Sequence, residues 1–408
     1  MTGRLVTPSS RLPVVEFVAL VAMMFAMVAF SIDAMLPAMP EIAAELTPTV
    51  PNRAQLILTS FVFGMGLGTF VTGPMSDAFG RRAVIGGGVL LYCIGAVLAW
   101  AAPTLELVLV ARVIQGLGVA GPRIAGMALV RDLYSGREMA RLISFVMMIF
   151  TLVPAVAPLL GSVIIAGFGW RSIFVAFVLF AILVMGWFWL RQSETLAVED
   201  RRPLQVATLL SAAREVLGNR LVMLVTLAQT LAFASLFATL SATQQVFDQS
   251  FGRAESFPKW FAFIALMAGL ASVLNAKLVV RIGMRGMATA TFATQCVISG
   301  LMFALFASGW MPEAAAFWAY LFWTISVFFM VGLTVGNLNA LALEPMGHIA
   351  GMAASIVTAI ATVLSVLIAV PIGLAFNGTP VPLMAGVFVC TLAALPLMAM
   401  AARVAVIR

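Results

Sequence analysis

The chain has 408 residues, of which 63% are apolar and 10% charged, and its mean hydropathy is +1.11. Soluble proteins carry about 25% charge, so the composition leaves no room for a soluble domain and describes a polytopic, all-α integral membrane protein. The net charge of +7 does not point to nucleic acid, because the basic residues sit in short loops between apolar runs, where they set orientation.

Apolar runs long enough to cross ~30 Å of hydrocarbon recur along the whole length. Twelve spans are predicted, at 14–37, 54–74, 83–102, 105–130, 140–166, 170–190, 219–245, 258–280, 287–308, 314–339, 349–375 and 381–402. The first run is too long for a secretory signal and reads as an uncleaved first helix. Residues 191–218 carry Arg191, Glu194, Glu199, Asp200, Arg201, Arg202, Arg214 and Glu215, the longest hydrophilic interruption. They divide the spans six and six. The expected domains are a six-helix bundle over 1–190, a cytoplasmic central loop over 191–218 and a second six-helix bundle over 219–408.

With the N-terminus inside, most basic residues fall in cytoplasmic segments, from Arg4 and Arg11 through Arg81, Arg82, Arg131 and Arg141 to Arg403 and Arg408. Only Arg53, Arg171, Arg253 and Lys259 fall outside. Both termini and the central loop are therefore expected in the cytoplasm of a bacterial-type inner membrane. Trp100, Trp170, Trp260 and Trp310 mark predicted outer boundaries, and Trp187 and Trp189 an inner one. Cys93, Cys296 and Cys390 lie singly in apolar runs and read as small hydrophobes. His348, the one histidine, sits in a loop with a structural role. No metal site is expected, and neither a metal-binding His/Asp/Glu cluster nor a Ser–His pairing within spans supports an enzyme.

Three charged side chains lie well inside predicted spans: Asp33, Arg112 and Arg123. A charge in the bilayer costs at least ~2.5–3.5 kcal/mol, so such groups face a cavity or a partner. Asp33 near the outer end of the first span and Arg112 near the outer start of the fourth lie at similar depth, roughly 6–10 Å below the surface, and are expected to meet. Their pairing is either a structural ion pair or a proton-coupling site, since burial favours the neutral carboxyl and an arginine the charged one. Glu16, on the inner flank of the first span, is a second candidate acid or a solvated flank. Arg123 lies eleven residues after Arg112 on the same helix face, about 16 Å along the axis. It has two readings: an anchor for an anionic substrate group, or a cation snorkelling toward Asp132.

Between the second and third spans stands Gly73-Pro74-Met75-Ser76-Asp77-Ala78-Phe79-Gly80-Arg81-Arg82, read as a polar turn in which glycine supplies the reversal. A weak echo follows the eighth span at Lys277–Arg285, where Gly283 falls on Gly80 and Arg285 on Arg82 but Val280 replaces Asp77. In the fifth span Pro154, Pro158 and Gly161 give kinks and a site of close packing. The seventh span offers Gln229, Thr230, Ser235 and Thr239, and the tenth Thr324, Ser326, Asn337 and Asn339, as helix–helix glue or ligand contacts.

G-x-x-S-D-x-x-G-R-R at 73–82 resembles the signature loop of the major facilitator superfamily, with Met75 in place of a leucine and Ala78 in place of a basic residue. Arg112-x-x-Gln115-Gly116-x-Gly118 resembles that family's fourth-span motif, and 153–161 its antiporter motif, with Ala157 and Ser162 in place of glycines. Asp33-x-x-Leu36-Pro37-Ala38-x-Pro40-x-Ile42-Ala43, Arg131-Asp132-Leu133 and the stretch 347–355 are similar to the Bcr/CflA-type drug:proton antiporters. The resemblance implies a twelve-span fold in which spans one, four, seven and ten line a cavity. It also implies export of small amphipathic molecules by alternating access, proton coupling at Asp33 and Arg112, and substrate contacts from Arg123, Gln229, Asn337 and Asn339. Gating is expected at Gly73, Asp77, Gly80, Arg81, Arg82, Pro154, Pro158 and Gly161. Asp77 is placed to latch onto the start of the eleventh span, since helix N-termini attract anions. The expected partners are a small-molecule substrate, protons and membrane lipids, with a monomer, no nucleic acid and no cofactor beyond a proton gradient. The alternatives are a carrier of one specific, anionic metabolite and a non-transport membrane protein such as a lipid scramblase or receptor.

Overall fold

Glycine and proline decide where the long apolar runs break. The computed structural model describes residues 12–406; Arg4, Arg11 and Arg408 lie outside the described residues. These fold into α1 (Val14–Asp33), α2 (Met39–Leu46), α3 (Leu56–Phe79), α4 (Arg81–Ala101), α5 (Leu105–Leu133), α6 (Gly136–Phe168) and α7 (Ser172–Arg191). The central linker holds α8 (Val206–Gly218), and after it come α9 (Arg220–Gln245), α10 (Phe257–Ile282), α11 (Met284–Ala307), α12 (Glu313–Leu343), α13 (Ala350–Leu374) and α14 (Val381–Val406). Among the described residues, eleven continuous helical stretches are long and apolar enough to cross a membrane. One of them, Glu313–Leu374, runs for 62 residues and holds both α12 and α13, joined through a 3-10 turn with non-helical Met346. All but α2 and α8 are membrane-length helices, which makes twelve, as the sequence predicts.

The differences from the predicted boundaries have local causes. The first span stops at Asp33, short of 37, because Pro37 and Pro40 lack the N–H groups an α-helix would need. A 3-10 turn at Leu36–Ala38 and the short α2 follow. Residues 73–82 are not a loop. Helix α3 continues through Pro74 to Phe79, and Gly80 alone, at φ +95°, separates it from α4. Gly283, at φ +78°, does the same between α10 and α11, so the two glycines matched in the sequence echo occupy one backbone role. The linker, predicted as loop, contains α8, whose recurring leucines and alanines give one apolar face; it packs on α9 and α13.

Helices α3, α4 and α5 pack closely, with α1 set against α5, α6 and α7. Helix α9 packs on α12, α13 and α14. The helices before the linker meet those after it mainly at α3–α13 and α6–α10. Close approach is bought by small residues: a Cβ on Gly116 would strike the Phe61 carbonyl of α3, and one on Gly118 the Tyr92 backbone of α4. The fourth-span motif thus sits with one glycine on each neighbour. Gly80 is constrained twice, by its positive φ and by Glu194 Oε2, which would lie 2.7 Å from an added Cβ. Gly80→Ala is expected to cost about 1–2 kcal/mol, read as a lowered thermal unfolding midpoint in detergent.

Candidate functional site

A cavity of about 440 Å³ lies between the helices that precede the linker and those that follow it. Its walls are apolar: Phe25 of α1, Phe150 of α6, Phe233 and Phe237 of α9 and Phe328 of α12 stand around it, with Met65 and Met147. Five polar side chains line it, namely Asp33, Arg123, Thr151, Ser272 and Thr362. Asp33 is 4% exposed and, among the described residues, has no hydrogen-bond or ion-pair partner. Arg123 is half-buried and equally without one. A carboxyl and a guanidinium, both of which bind polar groups strongly, thus face one aromatic chamber unsatisfied.

The sequence reading places Asp33 against Arg112; the structure brings Asp33 together with Arg123 around the cavity instead. Arg112 is fully buried behind it. Its Nε donates to the Ile57 carbonyl at 3.2 Å, Nη1 to Gln115 Oε1 at 2.7 Å and Nη2 to the Ser31 carbonyl at 2.9 Å. The guanidinium also stacks 4.3 Å from the Phe61 ring centre. Helix α1 ends at Asp33, so the Ser31 carbonyl is one of its unpaired terminal acceptors, and Arg112 fills it. Ser31 Oγ in turn bonds Tyr92 Oη at 2.6 Å. Arg112 makes no ion pair with Asp33 because two backbone carbonyls and the Gln115 amide oxygen already take its donors.

Arg123 does not snorkel to Asp132. That carboxylate holds Arg81 Nε at 2.9 Å and Thr195 Oγ1 at 2.7 Å. Glu16 lies away from the cavity, accepting from Arg191 Nε at 2.7 Å, Arg191 Nη2 at 2.9 Å and Trp187 Nε1 at 3.2 Å. Gln229, Asn337 and Asn339 do not line the cavity. Asn337 Nδ2 donates to Asn275 Oδ1 at 2.7 Å and to its own helix at the Leu333 carbonyl. Ser235 and Thr324 likewise donate back to carbonyls one turn earlier. Helix spacing shows which residues share a face, not how that face is turned in the bundle. Spans one, four, seven and ten do line the cavity, through α1, α5, α9 and α12. Helices α6 and α10 add Pro154, Thr151, Ala268 and Ser272, a contribution that small and β-branched residues among many others do not signal in sequence.

At the arginine-rich end, Arg81 is 6% exposed and bridges three acceptors. Nη1 reaches Asp77 Oδ1 at 2.6 Å and Ser76 Oγ at 3.0 Å, while Nε and Nη2 reach Asp132. The linker joins this network: Glu194 accepts the backbone N–H groups of Arg81 at 3.0 Å and Arg82 at 2.9 Å, capping α4. Arg82 stacks on Trp189 at 4.4 Å. Gly73 lies against Ser355 of α13, and Asp77 shares a gap of about 40 Å³ with Gly351, Met352 and Ser355. Asp77 therefore faces the first turns of α13 but bonds Arg81, with no hydrogen bond to that helix. His348 pairs with Glu215 of α8 at 2.7 Å. Pro154 lines the cavity, and Gly161 packs so closely on the Ala34 carbonyl that a Cβ there would overlap it.

Residues 20–370 match the family model of the Major Facilitator Superfamily, and the chain belongs to that family of membrane transporters. It is 30% identical to a bicyclomycin resistance protein homolog of Haemophilus influenzae over 80% of this chain and 81% of that one. A chloramphenicol resistance protein of Pseudomonas aeruginosa is 36% identical over 35% of this chain and 34% of its own length. Among solved structures, a D-xylose-proton symporter superposes with a TM-score of 0.74 at 15% identity, covering 93% of this chain and 97% of that chain; this shows the shared fold.

The two intramembrane acceptor sets separate by experiment. Arg112→Lys keeps the charge but cannot reach three divergent acceptors, so a loss of about 3 kcal/mol or more is expected. Asp33→Asn removes a group with no partner and is expected to change the unfolding free energy by no more than about 0.5 kcal/mol, leaving the midpoint near that of the parent. Scanning fluorimetry of both variants in the same detergent checks the contrast.

Proposed function

We propose that this chain is a proton-coupled exporter of small amphipathic molecules or drugs, working by alternating access. The observation that carries the reading is the unpartnered Asp33 carboxyl in an aromatic chamber between the helices on either side of the linker. A lone acid there can carry a proton through one half of the cycle and release it in the other, because its alternatives are a neutral group in low dielectric and an ion in contact with water. The names of the relatives, two resistance proteins, support export of toxic compounds. The phenylalanines and methionines supply broad, non-directional contact suited to varied shapes.

Residues 1–190 and 219–408 are proposed to act as two bodies rocking about the cavity, with 191–218 as the tether. The arginine-rich end is assigned to the cytoplasm of a bacterial-type inner membrane and both termini with it, from the bias of basic residues. Gating is assigned to the Asp77–Arg81–Asp132 network, to Gly73 against Ser355, and to Pro154, Pro158 and Gly161. Arg112 is assigned to holding the end of α1 beneath Asp33 rather than to direct proton exchange. A monomer needs no partner chain for this cycle, and its only energy source is the proton gradient.

Arg123 favours a second reading of cargo. An unpaired guanidinium on the cavity wall selects molecules carrying an anionic or strongly accepting group, as the carrier of a specific anionic metabolite would need.

Purified protein in proteoliposomes with an imposed pH gradient tests both. Asp33→Asn is expected to abolish gradient-driven transport while sparing substrate binding; uphill transport that persists at every pH would remove Asp33 from the coupling step. Across a panel of cationic, neutral and anionic amphiphiles, Arg123→Ala is expected to raise the KM for anionic members about tenfold or more and to spare cationic ones. Equal effects on all three classes would leave Arg123 a structural role.

A further inference from the structure

Side chains at the end opposite the arginines form a closed set that none of the motifs contains. Asn52 and Gln55 belong to the 3-10 turn Pro51–Gln55 leading into α3, and Gln245 ends α9. Gln55 Nε2 donates to Gln245 Oε1 at 2.6 Å, and Gln245 Nε2 donates to Asn52 Oδ1 at 2.7 Å. Asn52 Nδ2 donates to two carbonyls at the end of α13, Phe376 at 2.7 Å and Leu374 at 3.1 Å. Ser241 Oγ, one turn back on α9, donates to the Ala238 carbonyl at 3.1 Å and lies 3.4 Å from Gln55 Oε1. The three amides are chained by these bonds, which run from the turn before α3 to two helices beyond the linker. Gln55 and Gln245 are 5% and 8% exposed. Gly373 of α13 leaves the space that Gln55 Oε1 occupies, and a Cβ there would overlap it.

The cavity lies below this lattice. Leu240, five residues before Gln245 on α9, is part of its wall, as is Asp33 at the end of α1. Around the amides the chain is sealed: residues 238–247 of α9 and the turn after it are buried throughout, as are Ala38, Met39 and Ile42 facing them. We infer that Asn52, Gln55 and Gln245 are the latch that holds this end of the cavity shut, and that parting them is a required step of the transport cycle. The inference goes beyond the coupling role of Asp33 and needs only that the two sets of helices separate here. The chemistry suits a gate. Amides bonded in a chain, with Gln55 and Gln245 buried, favour one closed register, since a shifted register strands polar atoms out of water. Being neutral, they regain water hydrogen bonds on opening without the cost of separating ions. Losing a single such bond shifts an equilibrium by about two- to tenfold, enough to tilt the gate but not to abolish the closed state.

The test uses the full chain in nanodiscs, with Cys93, Cys296 and Cys390 replaced by serine. Spin labels on cysteines placed at Glu41 and Gln249, both exposed at this end, report the gap by double electron–electron resonance. Gln55→Ala is expected to raise the population of the wide distance about two- to tenfold. Gln245→Ala is expected to raise it further, because it breaks two bonds. The double variant should match Gln245→Ala alone, because the Gln55–Gln245 bond is then counted only once. Asn52→Asp, which keeps shape but replaces the donor with an acceptor, is expected to widen the gap as well, and Gly373→Ala to displace Gln55 from the other side. Glu106→Gln, whose ion pair with Arg53 stays within one set of helices, is expected to change nothing. Unaltered distance distributions in the folded latch variants, or strictly additive effects in the double, would overturn the assignment.

Discussion

A charge held within the thickness of a membrane must be paired, given neutral acceptors or given water, and this chain uses each solution at a different depth. Arg81, near the arginine-rich end, is paired with Asp77 and Asp132. Arg112, deeper, has no carboxylate but three oxygens in reach of its nitrogens. Asp33 and Arg123 have neither, and a cavity stands where they are. Much of the packing follows from this. The glycines of α3, α4 and α5 bring backbones close enough for Arg112 to reach the Ile57 carbonyl, and the breaks at Pro37 and Pro40 free the Ser31 carbonyl it also needs. The residual polar groups are then confined to a chamber otherwise walled by aromatic rings.

Ion pairs and neutral hydrogen bonds are also divided by location. Among the described residues every arginine–carboxylate pair joins elements that precede the linker, and the His348–Glu215 contact ties the linker helix to the segment before α13. None joins the helices before the linker to those after it. The contacts that do cross are apolar packing along α3–α13 and α6–α10, and amide or hydroxyl hydrogen bonds. Charged contacts, worth more when partly buried, stiffen the helices before the linker internally. Neutral ones, each worth about 0.5–1.5 kcal/mol net, join the sets and can be exchanged for water. A molecule built to rock between two closed ends requires that distribution, since contacts that must break on each cycle cannot be among the strongest.

The sequence was informative where the physics is local. Helix count follows from hydropathy, and the equivalence of Gly80 and Gly283 from spacing alone. That Asp33 and Arg123 face a cavity follows from the cost of burying a charge in lipid. What spacing could not supply was rotation and partner identity. Spacing matches Arg112 to Asp33 because both are charged and equally deep; of its actual acceptors only Gln115, one turn on in the same motif, can be seen in sequence, and the other two are backbone carbonyls that no sequence distinguishes. Gln229, Asn337 and Asn339 are on helices that line the cavity, yet a modest turn of each helix about its axis aims them elsewhere. The amides Asn52, Gln55 and Gln245 are unremarkable one by one and become a lattice only when segments nearly two hundred residues apart meet. Linker helix α8 was hidden by the charges around it, although its apolar periodicity is present.

Arg112 and Asp33 nonetheless act on one another, through the helix end rather than through a bond. The last turn of α1 presents carbonyls that carry partial negative charge, and cations are favoured there. Arg112 binds that turn, so its own positive charge is offset without consuming the only carboxylate nearby. Had Asp33 been the counterion, it would be locked in a buried pair that costs several kcal/mol to break, and unable to exchange a proton with water or cargo in the cavity. The backbone at this point is also where α6 leans in, with Gly161 seated on the Ala34 carbonyl. Helix α6 faces α10 across the boundary between the two sets of helices and lines the cavity through Pro154. A shift of α6 against α10 therefore presses on the residue next to Asp33. The acid is placed where a change in the relation between the two sets of helices alters its surroundings first, while Arg112 keeps the helix end beneath it fixed.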